Sequence, residues 1–360
     1  MAITSIADLI AAGLTGDSAA ALTPVTDQFR LRITDDMAQI APGVARQFVP
    51  TLAELLIRAE ELADPIGDLA HAPTEGLTHR YPDRVILHAT QTCEVYCRFC
   101  FRRETVGADG NLPDQALEKA VDYIATTPAI WEVILTGGDP MTLSPRRLKA
   151  LIDRLSAIPH VEVIRFHTRV PVVAPDRISP ALLDALKSRP AVYVVLHANH
   201  PEELTPKACA ALARLADAGI PLLSQSVLLN GVNNDAATLE RLFRTLIRNR
   251  VKPYYLHHAD MARGTSHFRT TVAEGQALMA ALRGRLSGIC LPTYVLDIPG
   301  GHGKVPIGPS YITAEGQAYV VQSPNGTHHI YADAGENPSG RDQVKPEGVQ
   351  VAPTMAILPP

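Results

Sequence analysis

The chain has 360 residues, 46% hydrophobic and 19% charged, enough for one large domain with additions or for two domains. Lys and Arg number 33 against 37 Asp and Glu, a formal net charge of -4, which gives no electrostatic case for nucleic acid or an acidic membrane as the main partner. No Lys or Arg precedes Arg30 and no uncharged apolar run approaches membrane-spanning length, so the protein is read as cytoplasmic, without signal, transit or spanning segment.

Residues 1–75 read mainly as helix. "TLAELLIRAEELAD" (51–64) has helical apolar spacing, closed by Pro65 and Gly67. From residue 84 the rhythm changes. "RVILHAT" (84–90) reads as a buried strand and "PDQALEKAVDYIATT" (113–127) as a helix. The pairing then repeats: strand-like 131–137, 161–168, 191–199, 220–229 and 251–260 alternate with helix-like 144–158, 179–188, 206–219, 235–249 and 271–286. "TYVLDI" (293–298) follows. Six such units build a parallel α/β sheet, either curled like a barrel or open and doubly wound. In both, ligands gather at the C-terminal strand ends. "AYVVQSPNGTHHIYA" (318–332) reads as a β-hairpin around Asn325-Gly326. The tail after it, rich in Pro, Gly and polar residues, is expected to extend over the surface or a partner subunit.

"CEVYCRFC" (93–100) places Cys93, Cys97 and Cys100 within eight residues, directly after the first strand. Structural thiols or zinc are the bland readings, but structural zinc takes four ligands, commonly from two knuckles, and no second knuckle follows. An iron-sulfur cluster is the natural use of close thiolates. Three thiolates on a four-iron cubane leave one iron open to another ligand.

The C-x3-C-x2-C spacing, with Phe99 beside the last cysteine, resembles the radical S-adenosylmethionine enzymes. The resemblance implies that the open iron holds S-adenosylmethionine and that cluster reduction releases a 5′-deoxyadenosyl radical. "LTGGDP" (135–140) resembles that family's second element, which makes Gly137, Gly138 and Asp139 candidates for binding S-adenosylmethionine. Gln225 and His197, at strand ends, join them.

"LDIPGGHGKVPIGP" (296–309) is the other unusual stretch. A P-loop would need Gly at 298 and Ser or Thr at 305, where Ile298 and Val305 stand. A lysine at a Gly-rich loop can instead carry pyridoxal phosphate as a Schiff base. The stretch resembles the PGGGGK segment of the lysine 2,3-aminomutase family, with His302 replacing one glycine, and similar segments recur over roughly two-thirds of the chain.

This resemblance implies a partial (β/α)6 barrel with an N-terminal helical region (1–75), a radical core (76–300) and a C-terminal segment (301–360) holding the lysine loop and hairpin. It implies a [4Fe-4S] cluster, S-adenosylmethionine and pyridoxal 5′-phosphate, the last on Lys304. Arg102 matches the arginine for the substrate carboxylate; Asp260 and Asp297 match the pair holding a distal ammonium. Arg80 and Tyr81 are candidates for the phosphate. Arg103, His257, His258 and His267 are read as packing or supporting residues. The expected reaction is conversion of L-lysine to L-β-lysine. The alternatives are another basic substrate such as arginine, the (R)-β-lysine-forming type that serves elongation factor P, or a metal-binding protein without turnover. An external electron donor such as flavodoxin or ferredoxin and a homo-oligomer are expected. Longer family members carry extra zinc-binding cysteines; with no cysteine after Cys290, no structural zinc is expected.

Overall fold

The structure is a computed structural model and describes residues 2–108, 110–316 and 318–332. The expected extended tail lies outside them. Nine strands form one sheet in strict chain order. They are β1 (Leu77–Tyr81), β2 (Arg84–Thr90), β3 (Glu132–Gly137), β4 (Val163–Thr168), β5 (Ala191–His197), β6 (Leu222–Leu228), β7 (Val251–His258), β8 (Thr293–Asp297) and β9 (Lys304–Pro306). From β2 to β8 every pairing is parallel; β1 and β9 close the two ends antiparallel. A doubly wound sheet reverses its strand order at a switch point. This one never does, so it curls one way, and because β1 and β9 do not pair the barrel stays open.

Helices fill the crossovers where the apolar spacing put them. Ala236–Arg248 buries Leu239, Leu242, Phe243 and Leu246, one stripe of the helix. Ser144, Ser179, Thr205 and Asp235 cap helix starts by accepting a backbone N–H two or three residues into the helix. Pro145, Pro180 and Pro206 stand in the first turns, where a missing N–H costs nothing. The chain divides into compact units after Pro309. In the second unit Ala318–Gln322 and His328–Tyr331 form the expected hairpin, joined by a further strand, Ile312–Glu315.

The N-terminal region departs from the helical expectation. Short helices run Ile6–Ala11, Ala19–Gln28, Asp35–Ala38 and Pro42–Ala45. Within 51–64 only Leu52–Leu55 turns, as 3₁₀. The reason is the acidic face. Glu54 is 0% exposed and pairs with Arg98 and Arg103, while Glu61 pairs with Arg269 and takes the Gly264 N–H. Pulling both carboxylates inward unwinds the segment and leaves Leu56 57% exposed. Long-range ion pairs here override local helical preference.

Candidate active site

The loop after β2 carries the three cysteines, all unbridged. They line a cavity of about 830 Å³, which is lined also by Lys304, Asp260 and Asp297 and by Arg80, Tyr81, Arg102, Gly137, Gly138, Asp139, His197 and Gln225. Every sequence-derived site residue therefore faces one space. Burial pushes all three thiols up, Cys100 to about 11, and Cys93 also feels Asp139 and the other two thiols. Buried thiols of this kind become thiolates only beside a strong positive centre. Among the described residues no three His, Cys, Asp or Glu side chains stand close enough to share a single ion. In a cluster each thiolate takes a different iron, so the donor set fits a multi-iron group.

The glycine turn is shaped by the cysteine loop. Gly138 N donates to Thr90 O at 2.7 Å and Asp139 N to Thr92 O at 2.8 Å. A Cβ on Gly138 would lie 2.4 Å from Thr92 O, and Gly137 has φ +107°. These two amides are committed within the protein, which leaves the turn's carbonyl oxygens as its acceptors for a ligand donor. Asp139 is also committed. Its carboxylate accepts from Met141 N, Thr168 Oγ1, Arg169 N and Val170 N, although burial still pushes it up. Its part is to lock the turn. His197 and Gln225 are register partners on β5 and β6. Gln225 Nε2 stands 3.4 Å from His167 Nδ1, while the buried Nε2 atoms of His167 and His197 have no hydrogen-bond partner among the described residues. Burial keeps both imidazoles neutral, far below their ordinary values, so each can serve a ligand as a neutral donor or acceptor.

Strand β9 pairs Lys304 directly with Asp297 of β8. Lys304 Nζ hydrogen-bonds Asp297 Oδ2 and lies 3.3 Å from His257 Nδ1. Its backbone N donates to Tyr81 Oη at 2.9 Å. Burial opposes ionisation of Asp297, but His257 and Lys304 hold it well below the carboxylate range. Asp260 differs: burial and then the charge of Asp297 raise it to about 7. Arg80 donates to Ile66 O at 2.5 Å and stands 3.7 Å from both Asp68 and Asp297. Arg102 gives its Nε to Asp68 Oδ2 at 2.7 Å, with its guanidinium over Phe101 at 4.4 Å.

The glycines before Lys304 answer to another part of the chain. Gly300 N donates to Pro65 O at 2.9 Å, and a Cβ on Gly67 would meet Gly301 Cα at 2.7 Å. Their permissive backbones let the loop press on residues 65–71. Arg103 is structural, as read, bound to Glu54 and the Gly264 carbonyl. Asp68, His167 and Arg169 were missed. For His167 and Arg169 the available signal was their position at the β4 end; for Asp68 no local signal exists.

Two family models match the chain: the radical SAM superfamily over residues 87–242 and lysine-2,3-aminomutase over 279–344. L-lysine 2,3-aminomutase of Fusobacterium nucleatum is 44% identical over 279 residues, 77% of this chain and 66% of that one. That of Clostridium subterminale is 44% identical over 77% and 67%. Glutamate 2,3-aminomutase of Clostridioides difficile is 39% identical over 82% and 72%. The chain thus spans about two-thirds to three-quarters of the length of these relatives. At this identity, over most of this chain and with both models in place, the protein belongs to the lysine 2,3-aminomutase family of radical S-adenosylmethionine enzymes, which use a [4Fe-4S] cluster, S-adenosylmethionine and pyridoxal phosphate.

Proposed function

We propose that this chain is an isomerase that moves the α-amino group of L-lysine to C3, giving L-β-lysine. The bound cofactors supply the radical that removes an unactivated hydrogen and the site on which the nitrogen migrates. The chain binds, orients and shields. Arg102, its Nε anchored by Asp68, keeps a planar fork for the substrate carboxylate. Cys93, Cys97 and Cys100 ligate the cluster on this reading; Gly137, Gly138, Asp139, His197 and Gln225 frame the S-adenosylmethionine site, and Arg80 and Tyr81 the phosphate.

One observation favours lysine: Asp260 and Asp297 face the same cavity and both feel the charge of Lys304, while Arg80, 3.7 Å from Asp297, is given to the phosphate on this reading. Committing Lys304 to the cofactor takes that cation away. Two buried carboxylates then need a replacement, and a substrate's distal ammonium supplies it. A distal carboxylate, as on glutamate, would add a third negative charge. Identity alone does not separate these branches, since lysine and glutamate relatives match at similar levels.

The test is anaerobic. The cluster is reconstituted, and S-adenosylmethionine, pyridoxal phosphate and a reductant are added with L-lysine, L-arginine or L-glutamate in parallel. Products are derivatised and separated by chromatography. β-Lysine is expected, absent in Cys97→Ala. A β-isomer from glutamate or arginine alone would overturn the lysine reading. On this reading the protein works in the cytoplasm as a homo-oligomer and draws its electron from a small donor such as flavodoxin or ferredoxin. Among the described residues no helix is long and apolar enough to cross a membrane.

Asp260 also predicts a pH dependence. With its pKa raised to about 7, the carboxyl is protonated below neutrality and cannot pair an ammonium. Lysine KM is expected to rise as pH falls from 8 to 6. The stability sign is opposite. The folded state holds this proton over a window where the unfolded chain has lost it, so stability falls as pH rises toward 7. Asp260→Asn should therefore melt higher than the wild type at pH 8 without substrate, while kcat/KM for lysine falls. A lower melting temperature would place Asp260 in a stabilising contact instead.

A further inference from the structure

Among the described residues one side-chain hydrogen bond reaches a sulfur of the cysteine loop. Arg169, the first residue after β4, places Nη1 2.8 Å from Cys97 Sγ. Its Nη2 donates to Glu203 Oε2 at 2.6 Å and Gln47 Oε1 at 2.8 Å. The guanidinium lies over the rings of Phe48 and Phe99, 4.7 and 5.5 Å from their centres. Arg169 is 5% exposed; Gln47 and Glu203 are fully buried.

Each partner is fixed in turn. Glu203 Oε1 accepts from Gln47 Nε2 at 3.0 Å, Asn199 N at 2.9 Å and His200 N at 3.0 Å. Gln47 O accepts from Arg98 N, inside the cysteine loop, at 2.8 Å. Arg169 N donates to Asp139 Oδ2 at 2.6 Å. The guanidinium is thus held by a carboxylate, an amide, two rings and its own backbone, with one nitrogen aimed at sulfur. A buried ion pair is a weak source of stability, and apolar side chains of the same volume commonly do as well. Stability alone does not account for placing a cation here.

We propose that Arg169 is a positioning residue that raises the reduction potential of the iron-sulfur cluster by donating an N–H hydrogen bond to the Cys97 sulfur. This rests on the reading of Cys97 as a cluster ligand. Reduction adds negative charge that spreads onto the ligand sulfurs. A cationic donor fixed against one sulfur stabilises the reduced form more than the oxidised form, so the potential rises. Glu203 opposes the effect, but its carboxylate faces Nη2. Nη1, not Nη2, is the nitrogen that reaches the sulfur.

The experiment is an anaerobic redox titration of the full chain with its cluster, followed by electron paramagnetic resonance without S-adenosylmethionine. Arg169→Met is expected to lower the reduction equilibrium constant at least tenfold, about 59 mV for one electron. Arg169→Lys should shift the same way by less. Glu203→Gln keeps the size of the side chain but removes its charge, so the potential should rise. General loosening would not give shifts of opposite sign. If Arg169→Met does not retain iron, Arg169→Lys and Glu203→Gln carry the test. Unchanged potentials in iron-loaded variants overturn the proposal. A Cys97→Ala protein that keeps its full iron and sulfide would instead overturn the reading of Cys97.

Discussion

Lys304→Ala is expected to lose the visible absorption band of the lysine-bound cofactor and to lower turnover by roughly 10²–10⁴-fold or more, the scale for removing a group at the reacting atoms. The loss should be chemical. The backbone N–H of residue 304 bonds the Tyr81 hydroxyl, and β9 pairs with β8 through the main chain, so neither contact needs the lysine side chain. Iron content should stay near the wild type, while the melting temperature should fall, because Asp297, 9% exposed, loses its paired cation. The variant also strips the nearest cation from Asp297 Oδ2, leaving His257 3.6 Å from it and Arg80 3.7 Å from Oδ1. Lysine affinity should therefore not fall in parallel with turnover, because the substrate ammonium finds the same two carboxylates. An unchanged band would put the cofactor linkage on another lysine.

Glu54→Ala should be among the most destabilising single changes in the chain. Glu54 Oε2 takes Arg98 Nη2 at 2.5 Å and also pairs with Arg103, and the three side chains are almost wholly buried. Removing the carboxylate leaves two guanidinium groups without their counter-ion. Breaking a buried pair costs about 3–5 kcal/mol, a large share of a total stability of about 5–15 kcal/mol. Arg98 lies between Cys97 and Cys100, so the loss should reach the cluster loop. Melting temperature and bound iron should fall together. Lys149→Ala, which removes an exposed helix pair with Asp153, is the control, expected to cost less than about 1 kcal/mol. A Glu54→Ala protein with wild-type melting and full iron would mean that the arginines find other acceptors.

The sequence was most informative where local pattern and tertiary environment agree. All six strand-helix units appear within a few residues of their expected bounds, because the strands are short runs rich in β-branched and other apolar residues and the helices carry one apolar stripe. The cysteine spacing and Lys304 stood out because close thiols and a Gly-rich lysine loop have few ordinary uses. Less legible were residues whose role depends on a distant partner. Segment 51–64 has the spacing of a helix, but Arg98, Arg103 and Arg269 capture its carboxylates. Gly300 and Gly301 showed only as part of a Gly-rich lysine loop; that their backbones meet Pro65 and Gly67 carries no local mark. Asp68, Glu203 and Gln47 carry no local mark; they matter through Arg102 and Arg169.

The closing strand sets the parity of the site. Side chains alternate along a strand, and Asp297 and Lys304, opposite each other on β8 and β9, face the cavity together. A slip by one residue would turn the lysine outward. Hydrophobic pattern does little to prevent it, since Val305, the next residue, is itself 37% exposed. The register is held instead by polar bonds: residue 304 N to Tyr81, Ile298 N to Gly303 O at 2.8 Å, and Gly300 N to Pro65 O. The chain therefore aims its reactive amine with a short clasp of hydrogen bonds, and a one-residue slip of β9 against β8 should silence the site while leaving the barrel intact.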